Sequence, residues 1–327
     1  MADPAIGTNA VVAVDYEASW GVDKGTPVGK QISVVSCGIT GTQELLPNPS
    51  IRGNFNPSDP ANGKQTAAGA VVFVPNVTVA AWWLKLLCGT ISSSGVADPY
   101  THTIKIGTAT PPSAVVEVDY NIGGTHRYVK ASGVRVNKLT IPISAAGFSP
   151  WTADCMAKSV AVGTSAYDAT LTDWTSATPL DDLQLASADV EIPDATDVGY
   201  LHSGSIDISA NLFGDDYRVG ASGARGSLVP QLFSVSGNLR FTVDSVGVLT
   251  LLNAGTATSL RLKWTAGTNR TVEMTLPRLF IQKVQPSLLN AGPVMVDCQV
   301  IGSYDTTTAS AVKFIVVNDQ DAAVQYV

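Results

Sequence analysis

Residues 67–89, AAGAVVFVPNVTVAAWWLKLLCG, constrain the fold more than any other stretch. Ala70–Val74 is a short β-branched and aromatic run stopped by Pro75, the signature of a strand. Beyond it Val79, Trp82, Trp83, Leu86 and Leu87 recur at the period of a helix with one apolar face. Asn76 or Thr78 can cap the first turn, and Gly89 suits the left-handed residue past the end. A short helix carrying two tryptophans and two leucines on one side must lie on a sheet. Trp82, Trp83, Leu86 and Leu87 are therefore predicted core.

Strands dominate elsewhere. Thr8–Trp20 alternates, and Gln31–Leu46, Thr101–Ile106, Ala114–Ile122 and Arg127–Ser144 read as strands, with Trp151–Lys158 placed to close a sheet. The proline-, Asn- and Gly-rich segment 47–69 is expected to be a long loop without regular structure. Residues 160–182 read as a linker of Thr, Ser, Ala and Asp. After it come alternating strands, a Gly-rich loop over Asp215–Pro230, a strand at Phe233–Val243, a short helix at Asp244–Gly255 and three further strand regions.

That order repeats the first half. Gly38 and Gly204, Arg52 and Arg218, and Gly89 and Gly255 are each 166 positions apart (204 − 38, 218 − 52, 255 − 89). Asp154-Cys155 and Asp297-Cys298 match at a shorter offset. The expectation is an internal duplication: a mainly β chain with short helices, built as two tandem modules, each with one flanking helix. Residues 1–168 would be the first, with an N-terminal arm, and 169–327 the linker and second.

Composition narrows the function. Only 14% of residues are charged, about half the usual share, with 29 glycines among the replacements. A surface so poor in charge suits one that is covered in an assembly. The formal net charge of −7 and the lack of any Lys/Arg run leave no footprint for tight nucleic-acid binding. The longest apolar stretch, about a dozen residues around Val77–Cys88, is too short to span a bilayer, and MADPAIGTNA lacks the basic start and apolar core of a signal peptide. Cys37, Cys88, Cys155 and Cys298 are far apart, without metal-ligand spacing, and read as small buried hydrophobes.

Catalytic signals are thin. His102, His126 and His202 lack ligand spacing and read as surface or loop residues. There is no nucleophile elbow, and the Gly220–Gly226 run has no phosphate-loop lysine. Asp194, Asp197, Asp215 and Asp216 lack the regular spacing of a calcium loop. No catalytic residue, metal or cofactor is expected.

Several motifs resemble the tail tube proteins of long, non-contractile bacteriophage tails. Glu17, Trp20 and Gly21 stand where that family carries Glu, two spacers, then Trp-Gly. PSIRGN (49–54), PYTHTIKI (99–106), SGVRVNKLTIPISAAG (132–147) and YRVGASGARGSLVPQLFSVSGNLRF (217–241) are similar to further family segments. The likeness fades in the linker and beyond Thr306.

The resemblance implies a structural virion protein with two packed sheets and a flanking helix. Its subunits would join sheets around a ring into a β-barrel, and stacked rings would conduct DNA into the host. Assembly would take place in the host cytoplasm. Partners would be copies of itself, as a trimer imitating six-fold symmetry, with tape measure, tail terminator and distal tail proteins. Double-stranded DNA would pass without tight binding, and no membrane is implied. On this reading Ser205, Asp207 and Ser209, alternating with Ile206 and Ile208, are the candidate lumen face; an ordinary solvent-facing strand is the alternative. Arg52, Asn54, Phe55, Arg218 and Arg225 are candidate inter-ring or inter-subunit contacts, the alternative being solvated loops. A different class, an adhesin-like β-sandwich binding module, also fits the composition.

Overall fold

The computed structural model describes residues 6–53, 55–144, 148–174, 183, 189–192, 201–219, 223–243, 246–285, 292–321 and 326. The chain runs through β1 (Val11–Tyr16), β2 (Lys30–Ile32), β3 (Ser36–Cys37), β4 (Thr40–Asn48) and β5 (Ser58–Phe73) to helix α1 (Val77–Cys88). Next come β6 (Gly89–Ser94), β7 (Tyr100–Ile106), β8 (Ala114–Ile122), β9 (Thr125–Ser144), β10 (Trp151–Ala157), β11 (Ser159–Gly163) and β12 (Thr172–Asp173). Then follow β13 (Asp189–Glu191), β14 (Leu201–Ser209), β15 (Phe213–Tyr217), β16 (Arg225–Val229) and β17 (Ser234–Thr242). Helix α2 (Val246–Ala254), β18 (Ala257–Gly267), β19 (Arg270–Ile281), β20 (Met295–Gly302) and β21 (Lys313–Asn318) complete it. Among the described residues the protein is mainly β with two short α-helices, as its sequence predicts.

Two long strands organise the pairing. The first half of β9 lies between β8 and β11, with β1 beyond β8. Its second half lies between β10 and β14, with β5 and then β4 beyond β10. β19 repeats the scheme. Its first part lies between β18 and β21, with β13 beyond β18, and its last residues pair with β20, which leads to β17 and β14. Six antiparallel pairings thus occur twice, with a helix after β5 in one set and after β17 in the other. The two sets meet through β9–β14 and through β21–β7.

Helix α1 forms where its sequence predicts. The Asn76 side chain accepts from the amides of Thr78 and Val79, and Gly89, at φ 81°, donates its amide to the Lys85 carbonyl. The expectation of a single apolar face is corrected: every α1 residue except Lys85 is buried. Ala80, Ala81 and Leu84 line the remaining sides, and α1 touches β6, β7, β9, β19 and β21, so sheets close around it. An aromatic chain runs from Tyr16 through Trp82, Trp83, Phe73 and Trp151 to Trp264, with ring centroids 4.9–6.2 Å apart. It carries one core across both strand sets. Leu86 and Leu87 are fully buried beside it.

Two expectations about irregular segments also fail. Residues 47–69 are not a structureless loop: β4 and β5 extend into them as a long hairpin, leaving 49–57 to connect the strands. The prolines permit this because Pro47 and Pro60 both lie in the register shift between the Leu46–Ala61 and Asn48–Ser58 pairs. A missing N–H costs no ladder bond in such a bulge. The linker is partly built in as well. β11 pairs with β9, the Tyr167 amide donates to Glu117, and Trp174 is buried; residues 175–182 lie outside the described residues.

Candidate functional site

The sheet β4–β5–β10–β9–β14–β17–β20 has one apolar and one polar face, because side chains alternate and the register keeps like with like. On β14, Ile206 and Ile208 are buried, while Ser205, Asp207 and Ser209 occupy the opposite face. Asp207 stands opposite Thr140 of β9 and Ser236 of β17, and Ser209 opposite Lys138 and Ser234. The polar face continues on β10 through Thr152, opposite Thr140, and Asp154, opposite Lys138. On the other side Asn238 faces Gln299 and Arg240 faces Asp297. Ile301, 60% exposed, shares this face.

Charges on this face are largely cancelled. Lys138 meets Asp154 at 3.5 Å and Arg240 meets Asp297 at 3.7 Å. Asp207 accepts a hydrogen bond from the Thr140 hydroxyl at 2.5 Å and has no cationic partner among the described residues. Along β9, β10, β14, β17 and β20 the result is a wall of hydroxyls and amides with paired charges and, on β14, the unpaired carboxylate of Asp207.

The two hairpins rising from this sheet differ. In the β4–β5 hairpin all nine β4 residues are exposed, including Leu45 and Leu46, and its outer edge carries no strand among the described residues. Arg52 and Phe55 lie exposed in its connecting loop, while Asn54 falls outside the described residues. The β15–β16 hairpin instead folds back onto β5 and β10. Arg225 is 5% exposed, and its guanidinium donates to the carbonyls of Ala67 at 3.1 Å and Ala157 at 2.7 Å. The Tyr217 hydroxyl donates to the Gln65 carbonyl, and the Gln65 amide to that of Gly223. Arg218 stays exposed, 2.9 Å from Asp216; its hydrogen bonds, with that of Ser227, hold the Asp216 carboxyl below the usual range. The sequence brings Arg52 and Arg218 to corresponding hairpins, but Arg225 fastens the chain internally, and nothing in its Gly-rich surroundings signals that role.

The Glu17-Trp20-Gly21 motif is a brace. The Glu17 carboxylate is buried and accepts from the Gly21 amide (2.7 Å), the Ser113 hydroxyl (2.6 Å) and the Gly133 amide (2.6 Å). Burial raises its pKa, against the hydrogen bonds, which favour the ionised form. The Trp20 indole donates to the Gly133 carbonyl, and Lys158 lies over its ring. The motif thereby ties the first turn to the bend of β9, where Gly133 has φ +69°.

Among the described residues, the histidine and acidic side chains form no cluster. His102 is a correction: it is fully buried, bridging the Ser93 hydroxyl at 2.7 Å and the Asn318 side chain at 2.9 Å. The pairing of β21 with β7 covers it, and Tyr326 packs edge-on against its ring. His126 and His202 are exposed, as expected. Asp215 and Asp216 lie on β15, and Asp194 and Asp197 are outside the described residues. No cluster of three metal-ligating side chains occurs among the described residues. Cys88, Cys155 and Cys298 are buried, Cys37 half-buried. No described helix is long and apolar enough to cross a membrane.

A family model described as phage tail tube protein matches residues 7–312, nearly the whole chain. No curated protein matches it.

Proposed function

We propose that this chain, which belongs to the phage tail tube protein family, assembles into stacked rings whose joined sheets line a conduit for DNA. Family membership makes it a structural protein of the virion tail. The finer reading rests on one observation: the broad sheet with an apolar buried face and a polar face whose charges are paired. A duplex moving along such a wall meets no fixed cationic patch to bind its phosphates, and a surplus carboxylate such as Asp207 repels them mildly. Ser205, Asp207 and Ser209 are the proposed lumen residues. Joining sheet edges around a ring removes the borders that a lone subunit would expose.

The repeated strand pairing supports two modules, divided near residue 168, so that three copies would supply six modules to a ring. Arg52, Asn54, Phe55 and Arg218 are the proposed outward contacts with neighbouring copies or rings. Tape measure, terminator and distal tail proteins are the proposed end partners, with assembly in the host cytoplasm and no catalytic role. Electron microscopy of the purified chain, and of virions carrying it, tests this. Open-centred rings or tubes are expected; discrete globular particles together with a virion tail lacking the chain would overturn the conduit and favour an adhesin-like module.

A further inference from the structure

The chain contains its own example of how one module meets the next. Residues 138–144 of β9 pair antiparallel with 203–209 of β14, Lys138 opposite Ser209, and the Ala210 amide donates to the Asn137 carbonyl. This pairing joins the two strand sets into one sheet. Each partner has a counterpart whose corresponding edge carries no strand among the described residues.

The counterpart of β14 is β4. Thr40 pairs with Ala68 and Ala68 with Met156, as Ser205 pairs with Asn238 and Asn238 with Gln299. Counting along the strands, Glu44 corresponds to Ser209. The counterpart of the outer half of β9 is the segment continuing β19. The Gln282 amide donates to the carbonyl of Gln299, placing Gln282 where Arg135 stands beside Met156, and Gln285 where Lys138 stands. Gln282, Lys283 and Gln285 are exposed.

We propose that the free edge of β4 is completed by a second copy in the register of β9 on β14, which sets Gln285, at the end of the segment continuing β19 in the neighbouring copy, opposite Glu44. This rests on the assembly reading above and names the seam it would use. The chemistry agrees with the register. Lys283 becomes the diagonal neighbour of Glu44, within reach of two long side chains, and neither has an ion-pair partner among the described residues.

The test is the pair Glu44→Cys and Gln285→Cys in the full chain, oxidised with copper(II) phenanthroline after assembly. A ladder of disulfide-linked multimers is expected, absent from either single variant and from the off-register pair Glu44→Cys with Gln282→Cys. A charge swap gives an independent readout. Glu44→Lys should raise the concentration needed for assembly roughly threefold, and adding Lys283→Glu should restore it. Tubes that form normally without the ladder and ignore the charge swap would overturn this seam while leaving the conduit standing. Wild-type chain that forms no rings or tubes, together with virion tails that lack the chain, would overturn both.

Discussion

The two strand sets share one pairing scheme and dispose of their hairpins and helices in opposite ways. In the first, α1 is enclosed by sheets and the β4–β5 hairpin projects with an exposed strand. In the second, the β15–β16 hairpin is folded down and fastened by a buried arginine, while Leu251 of α2 is only half-buried. The contrast shows that strand order alone does not decide what a module offers to its surroundings. A few side chains at the base of each hairpin, and the layer placed over each helix, decide that.

The sharpest way to break the comparison is at the helices. Trp83→Ala removes one of the two buried indole rings of α1 and should cost about 3–5 kcal/mol in urea unfolding. Leu252→Ala in α2, also fully buried but deleting a smaller side chain beside a half-buried neighbour, should fall near the lower end of the range for such deletions, about 2 kcal/mol. Equal losses would mean that the helices carry equal structural weight.

Next come the hairpins. Arg225→Ala deletes two hydrogen bonds from a charged donor and should cost roughly 2–3 kcal/mol. Limited proteolysis should then cut within residues 213–229, which the intact fastening protects. Phe55→Ser, at a fully exposed side chain, should change the stability of the isolated chain by no more than about 0.5 kcal/mol. A large loss from Phe55→Ser, or none from Arg225→Ala, would erase the distinction between projecting and fastened hairpins.

The smallest expected effect is a pH dependence to which α1 contributes through Lys85 and α2, which carries no charged residue, does not. Lys85, beneath the Tyr16 ring and bonded to the Tyr326 carbonyl, is pushed by burial from 10.5 down to about 8. The folded chain therefore releases this proton before the unfolded chain does, and stability should rise from about pH 8 to 9. Above 9 the thiols act in the opposite sense, because burial raises Cys88 to about 12 and Cys298 to about 11. Lys85→Met should remove the rise and leave the alkaline decline; an unchanged profile would place the titration elsewhere.

Local rules made α1 legible, since its cap, apolar spacing and terminal glycine lie within a few residues of one another. The matched Asp-Cys pairs were legible too, and both cysteines occupy corresponding places on β10 and β20. The hairpin was hidden because prolines read as breakers unless the bulge that accommodates them is known. His102 and Arg225 were hidden for a different reason. Their partners lie 216 and 158 positions away for the farthest bonds, and no local pattern reports such contacts. The constant spacing of 166 overstated the repeat, since the strand pairings align Thr40 with Ser205, one residue out of step with Gly38 and Gly204.

The β9–β14 seam has a kinetic corollary. In the ring proposed above every second junction would form during folding, at a rate set by the tether and indifferent to how dilute the protein is. The remaining junctions alone would await an encounter between molecules, which would halve the number of junctions that depend on collisions.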